Sequence, residues 1–122
     1  MYIRDVRTVG VPVRDQDKAL AFYTGVLGFE TRLDVPAGAA SRWIEVAPAG
    51  ATTTIALVTA HDGVPAGVET GIRLTSADAD ADHESLVGRG VDADEVLHWP
   101  GVPPMFAFRD LDGNGLELVQ QS

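Results

Sequence analysis

The chain is 122 residues long, 45% hydrophobic and 22% charged, the proportions of a globular protein with a core of its own, which excludes a disordered or low-complexity chain. Nine Lys and Arg side chains against 18 Asp and Glu give a formal net charge of −9, and that surplus repels nucleic-acid phosphates and anionic membrane surfaces, so neither is an expected partner. With no cysteine there is no disulfide framework or thiolate nucleophile, and with no apolar run near the roughly 20 residues that span a bilayer the expected compartment is the cytoplasm.

Val6 to Val13 sets Val9, Val11 and Val13 in alternation with Thr8, Gly10 and Pro12, the period of a strand with one branched apolar face. Asp15 and Asp17 then offer caps to an amphipathic helix over about 15–27, whose apolar sets Ala19/Phe22/Val26 and Leu20/Tyr23/Leu27 end at Gly28. Three β-like runs follow, around 28–34, 41–47 and 53–60, parted by Pro36-Ala-Gly and Pro48-Ala-Gly. Beyond a Gly- and Pro-rich break, Gly71 to Thr75 reads as a strand and Asp78 to Val87 as a helix capped by Asp78 or Asp80. Further strands are expected near 95–99, 104–109 and 115–120, the last two joined by Asp112-Gly113-Asn114-Gly115, which suits the positive φ of a tight hairpin.

The order βαβββ therefore occurs twice. An offset of 63 carries Asp15 to Asp78, Asp17 to Asp80 and Thr8 to Gly71, and an offset of 61 carries Ile55-Ala56-Leu57-Val58 to Leu116-Glu117-Leu118-Val119, so Ala56 and Glu117 are equivalent positions.

The run Val11-Pro-Val-Arg-Asp-Gln-Asp-Lys-Ala-Leu-Ala-Phe-Tyr-Thr-Gly-Val-Leu-Gly-Phe-Glu30, with Phe108-Arg-Asp-Leu-Asp-Gly-Asn-Gly-Leu-Glu-Leu118, resembles the glyoxalase/bleomycin-resistance/extradiol-dioxygenase group, the vicinal oxygen chelate superfamily. The resemblance covers essentially the whole chain. It implies an α+β fold in which two tandem βαβββ modules, here 1–60 and 70–122 of a single domain 1–122, form a cup-shaped mixed sheet around a small-molecule cavity, usually in a homodimer. A shared dimer seam fits Trp99 and Phe106, which would otherwise face water.

In enzymes of that superfamily a divalent metal is held by side chains of the first, fifth and eighth strands, sometimes also the fourth. Carried over, these places are Thr8, Gly71, Glu117 and Ala56. Glu117 alone is a competent ligand, and one carboxylate is too few for a divalent site. No cofactor is therefore expected, with Glu117 the ligand if a divalent metal is present. Among the histidines, His61 falls five residues past Ala56 on the opposite face and His83 on the second helix, leaving His98 with a route to the cavity.

Asp78-Ala-Asp-Ala-Asp82 imitates the opening of a calcium loop, but His83 stands where its glycine belongs and Arg89 where its bidentate Glu belongs, so a capped, solvated helix start is expected. Alternation in Arg42-Trp-Ile-Glu-Val46 sends Trp43 and Glu45 to one face. Trp43 and Trp99 each suit a pocket wall or a dimer seam. Arg73 falls on the side of Gly71 if the fifth strand is regular, which sets it beside Glu117 as an ion pair or an anchor for a polar ligand.

The candidate ligand-binding set is thus Thr8, Trp43, Arg73, His98, Trp99 and Glu117. The function expected is small-molecule binding of the glyoxalase/bleomycin-resistance type without a complete metal site. The alternatives are a divalent-metal-dependent lyase, isomerase or dioxygenase of the same fold, or an accessory subunit that uses the cup structurally. Whether the chain is an enzyme stays open between these readings.

Overall fold

The structure, a computed structural model, describes residues 1–38 and 40–121. The fold is α+β, with the chain divided into two compact units, Met1–Ala66 and Gly67–Ser122, each built around its own sheet.

In the first unit the strands are β1 (Thr8–Val13), β2 (Glu30–Pro36), β3 (Arg42–Ala47) and β4 (Thr54–Thr59), in the order β1-β4-β3-β2. β1 runs parallel to β4 and the other pairings are antiparallel, so the sheet is mixed. Helix α1 (Gln16–Ala21) begins at Asp15, whose carboxylate accepts the Lys18 N–H at 3.0 Å. The helix expected over 15–27 does not continue as one form. From Phe22 to Val26 it widens into a π-helical turn, with the Leu27 N–H reaching back to the Phe22 carbonyl at 3.2 Å, and Gly28 ends it at φ 75°. The wider turn accompanies a fully buried Tyr23 held edge-on between Phe22 and Phe29, with ring centroids 5.6 and 5.9 Å away. Alternation fills this core: Val11 and Val13 of β1, Ile44 and Val46 of β3, and Ile55 and Leu57 of β4 are buried. Gln16 ties helix to sheet, its amide nitrogen donating to the Arg42 and Leu57 carbonyls at 2.7 and 2.9 Å.

The second unit holds β5 (Glu69–Ser76), α2 (Ala79–Gly88), β6 (Met105–Arg109) and β7 (Gly115–Gln120), with the order β5-β7-β6, β5 parallel and β6 antiparallel to β7. Asp78 caps α2, accepting the Ala81 N–H at 3.0 Å. Ala79, Leu86, Phe106, Phe108, Leu116 and Leu118 are buried in its core.

Three expectations need correction. No regular strand forms at 95–99. The segment before β6 meets it at the isolated bridges Ala93↔Phe108 and Leu97↔Met105 and through the Asp94 and Arg109 N–H groups, and past Leu97 the pairing stops where prolines 103 and 104 have no N–H to give. Phe106 is not exposed: it is 2% accessible, tilted against Phe108, and met edge-on by His83 at 5.0 Å. In the last hairpin Gly113 carries the positive φ, 82°, while Asn114 has an ordinary φ. Asn114 instead acts through its side chain, whose Oδ1 accepts the Gly67 and Val68 N–H groups at 2.9 and 3.1 Å.

None of the described helices is long and apolar enough to cross a membrane.

Candidate functional site

On the face of the first sheet opposite α1, four strands converge on one carboxylate. Glu45 of β3 pairs in register with Ala56 of β4 on one side and Leu33 of β2 on the other, so it sits between apolar neighbours and is only 3% accessible. A carboxylate there is unfavourable unless every oxygen has a partner. Its Oε1 accepts the Thr54 hydroxyl at 2.8 Å, and the Thr8 Oγ1 lies 3.4 Å away. Its Oε2 accepts the Trp43 indole N–H at 2.7 Å and an Arg7 N–H at 3.0 Å. Thr8 and Thr54 also join each other, Oγ1 to Oγ1, at 2.6 Å.

The Trp43 N–H, more than any other neighbour, holds the Glu45 carboxyl below its ordinary value. Burial pushes it up, and Thr54 and Arg7 reinforce the lowering. Glu45 is therefore ionised at neutral pH with its lone pairs engaged, a structural anion and not a base waiting for a proton. The strand period leaves Trp43 beside it and partly exposed, directly across from Val35 on the edge strand.

On the second sheet, Arg73 of β5 pairs in register with Glu117 of β7, and Ala107 of β6 faces Glu117 from the other side. Arg73 Nε lies 3.1 Å from Glu117 Oε2, both side chains being substantially exposed. The equivalent pair in the first sheet is Gly10↔Ala56, which makes Ala56 and Glu117 structural counterparts. Each sheet thus carries one carboxylate facing an alanine across the ladder, with an arginine on it. β5 is not regular: its register shifts between Glu69 and Arg73, and Gly71 takes φ 73° in the bulge, where the Thr70 hydroxyl donates to the Gly115 carbonyl at 2.7 Å.

These residues do not fit a divalent metal. Gly71 and Ala56 carry no donor, the Thr8 hydroxyl is engaged by Thr54, and a guanidinium occupies the Glu117 carboxylate. Among the described residues, no three His, Asp or Glu side chains gather as a metal would need.

Thr8 and Trp43 are thus brought together through Glu45, and Arg73 with Glu117. His98 joins neither pair. Its Nε2 lies 3.0 Å from Asp80 Oδ1 of α2, with both groups exposed. Trp99 begins a turn closed by the Val102 N–H on its carbonyl at 3.1 Å, with Gly101 at φ 77° after Pro100, and is 61% accessible. Arg7, Glu45 and Thr54 escaped the candidate set. The signal for Glu45 was present, since the alternation that exposed Trp43 set a carboxylate on the same face two residues on.

The family model described as Glyoxalase/Bleomycin resistance protein/Dioxygenase superfamily matches residues 6–118. Among solved structures, the chain is similar to TnmS3, an antibiotic binding protein from Streptomyces sp. CB03234, with 40% identity over 100% of this chain and 99% of that one and a TM-score of 0.88. It is also similar to a superfamily member from Sphaerobacter thermophilus DSM 20745, with 35% identity over 99% and 100% of the two chains and a TM-score of 0.91. Among curated proteins it is 44% identical over 55 residues to the uncharacterized protein YetH of Bacillus subtilis (strain 168), covering 45% of this chain and 46% of that protein, so the match spans about half the length of that relative.

Proposed function

The chain belongs to the glyoxalase/bleomycin resistance protein/dioxygenase superfamily, and on that premise we propose that it captures a small organic molecule, of the kind an antibiotic-binding protein holds, by non-covalent contact and without a divalent metal. Superfamily membership and the likeness to an antibiotic-binding protein along the whole chain support small-molecule binding. The observation that carries the metal-free part is the guanidinium of Arg73 on Glu117. It puts a fixed positive charge at the one ligand-type residue among the superfamily's chelating positions, where a second cation would be repelled.

The first sheet supplies Trp43, Val35 and Leu33 as apolar surface beside Arg7 and Thr8, the mixture of an apolar wall with a few placed polar groups that ligand sites use. We read the chain as a cytoplasmic homodimer. Leu97, and Trp99 and Val102 on the proline-containing turn that follows it, are 43, 61 and 40% accessible, an apolar surface suited to a second copy. A single species of monomer mass in sedimentation at tens of micromolar, a working range for stable dimers, removes that part.

Binding is tested by thermal shift against a panel of antibiotics and other small organic molecules, with and without added Zn, Ni, Mn and Fe. A ligand that binds only the folded state stabilises it by about 2.7 kcal/mol at a hundredfold excess over Kd. The proposal expects such a shift without added metal. Ligand shifts or turnover that require added metal contradict it and favour the metal-dependent reading.

A further inference from the structure

We propose that Glu45 is a positioning residue of the ligand face: by taking the Trp43 indole N–H it fixes that ring so that its flat face, and not its polar edge, meets a bound molecule, which selects for planar aromatic compounds. The inference rests on the small-molecule reading above and goes beyond it by naming what the first sheet recognises and how.

The indole nitrogen is the one polar atom of a tryptophan side chain and can only donate. In Trp43 that donor is spent on Glu45 Oε2 at 2.7 Å, while the residue stays 37% accessible. What it can still offer a ligand is ring surface. Val35, 41% accessible, stands directly across the ladder, and Leu33 stands across from Glu45 on the same face, so the ring is continued by aliphatic surface toward the sheet edge. A flat hydrocarbon platform of this kind suits a fused or conjugated ring system.

Trp43 is not the sole partner of Glu45. Thr54 serves one carboxylate oxygen and Arg7 the other, and Arg7 supplies the opposing charge. The exposed tryptophan is the partner that gains, because a side chain near the sheet edge would otherwise sample several rotamers and lose that freedom on binding. Arg7 Nη1 and Trp43 Nε1 both lie within 3.0 Å of the same oxygen, so the platform ends beside a guanidinium whose side chain is 73% accessible. A planar ring bearing a carboxylate or carbonyl at one edge matches both features.

The probe is phenazine-1-carboxylate, a flat three-ring carboxylate, titrated calorimetrically into the full chain, together with the two indole Nε1–H signals that its two tryptophans give. In the unaltered protein the Trp43 indole proton should exchange slowly with solvent although its ring is partly exposed, and fast exchange overturns the inference with no variant needed. Glu45→Met keeps the length and removes the acceptor. It should leave the sheet folded, free the indole proton to exchange, and weaken the probe roughly three- to tenfold, the cost of ordering one freed side chain. Glu45→Gln retains a carbonyl acceptor and should restore most of both. Trp43→Leu should weaken the probe at least as much as Glu45→Met. Unchanged affinity in both Trp43→Leu and Glu45→Met, with the probe still bound, overturns the positioning role and leaves the binding reading intact. No binding of this probe by a chain that does give thermal shifts with other, non-planar compounds overturns the planar class alone, and no shift with any compound overturns the reading beneath it.

Discussion

Replacing Asn114 by alanine should destabilise the protein more than any surface change, because its side chain joins the last hairpin to the chain entering β5. The residue is fully buried. Its Oδ1 accepts the Gly67 and Val68 N–H groups at 2.9 and 3.1 Å, and its Nδ2 donates to Asp110 Oδ2 at 3.0 Å. Alanine deletes these three bonds and takes the acceptor from two backbone donors. A net worth of about 1 kcal/mol for each bond, with partial rehydration of the two amides, gives a loss of roughly 3 kcal/mol. For a domain of this size that lowers the melting temperature by about 10 °C. Urea and thermal unfolding of the full chain read it directly. Asn114→Asp separates the contributions, since it keeps the acceptor but sets a second carboxylate against Asp110. An Asn114→Ala protein within about 1 kcal/mol of the parent would refute the reasoning.

Acid should unfold the first unit in part through Glu45. The Trp43 N–H, with Thr54 and Arg7, holds its carboxyl below the ordinary 4.5. The stability it contributes is therefore complete above about 4.5 and lost as pH drops through the lower folded value, and melting temperatures from pH 3 to 7 should fall less steeply on the acid side in Glu45→Gln. Asp34 and Asp94, lowered by Arg42 and Arg109, keep the remaining slope. Gly71→Ala meets no atom within 4 Å but must hold φ 73°, so a loss of about 1 kcal/mol is expected by urea titration, and an unchanged midpoint would remove the conformational account of that bulge.

Local features were legible in the sequence because they depend on neighbours along the chain. The valines of β1 alternate, Asp15 and Asp78 each cap a helix by accepting the N–H three residues on, and Gly28 ends the first one. The superposition of Asp15 on Asp78 and of Ala56 on Glu117 placed the two halves in register, but the second unit is βαββ, because the chain before β6 pairs with it only at isolated positions. The features that stayed hidden depend on distant partners. Glu45 reads only as the residue that shares a face with Trp43 until Arg7 and Thr8, 38 and 37 residues away, arrive from β1 and its approach. Asn114 looks like a turn residue until it meets Gly67 and Val68, 47 and 46 residues earlier. Phe106 beside a proline-rich turn looks exposed, and only the packing of His83 and Phe108 shows where it lies.

The central claim is that this member of the superfamily holds its ligand without a metal, with Glu117 engaged by Arg73. Elemental analysis of protein purified without chelator, on the unaltered chain and on Glu117→Ala, tests it most directly. The account expects Zn, Ni, Mn and Fe well below one equivalent in both, with ligand-induced thermal shifts unaffected by added EDTA. Near-stoichiometric metal in the unaltered chain that disappears in Glu117→Ala, together with ligand shifts abolished by EDTA, would contradict it.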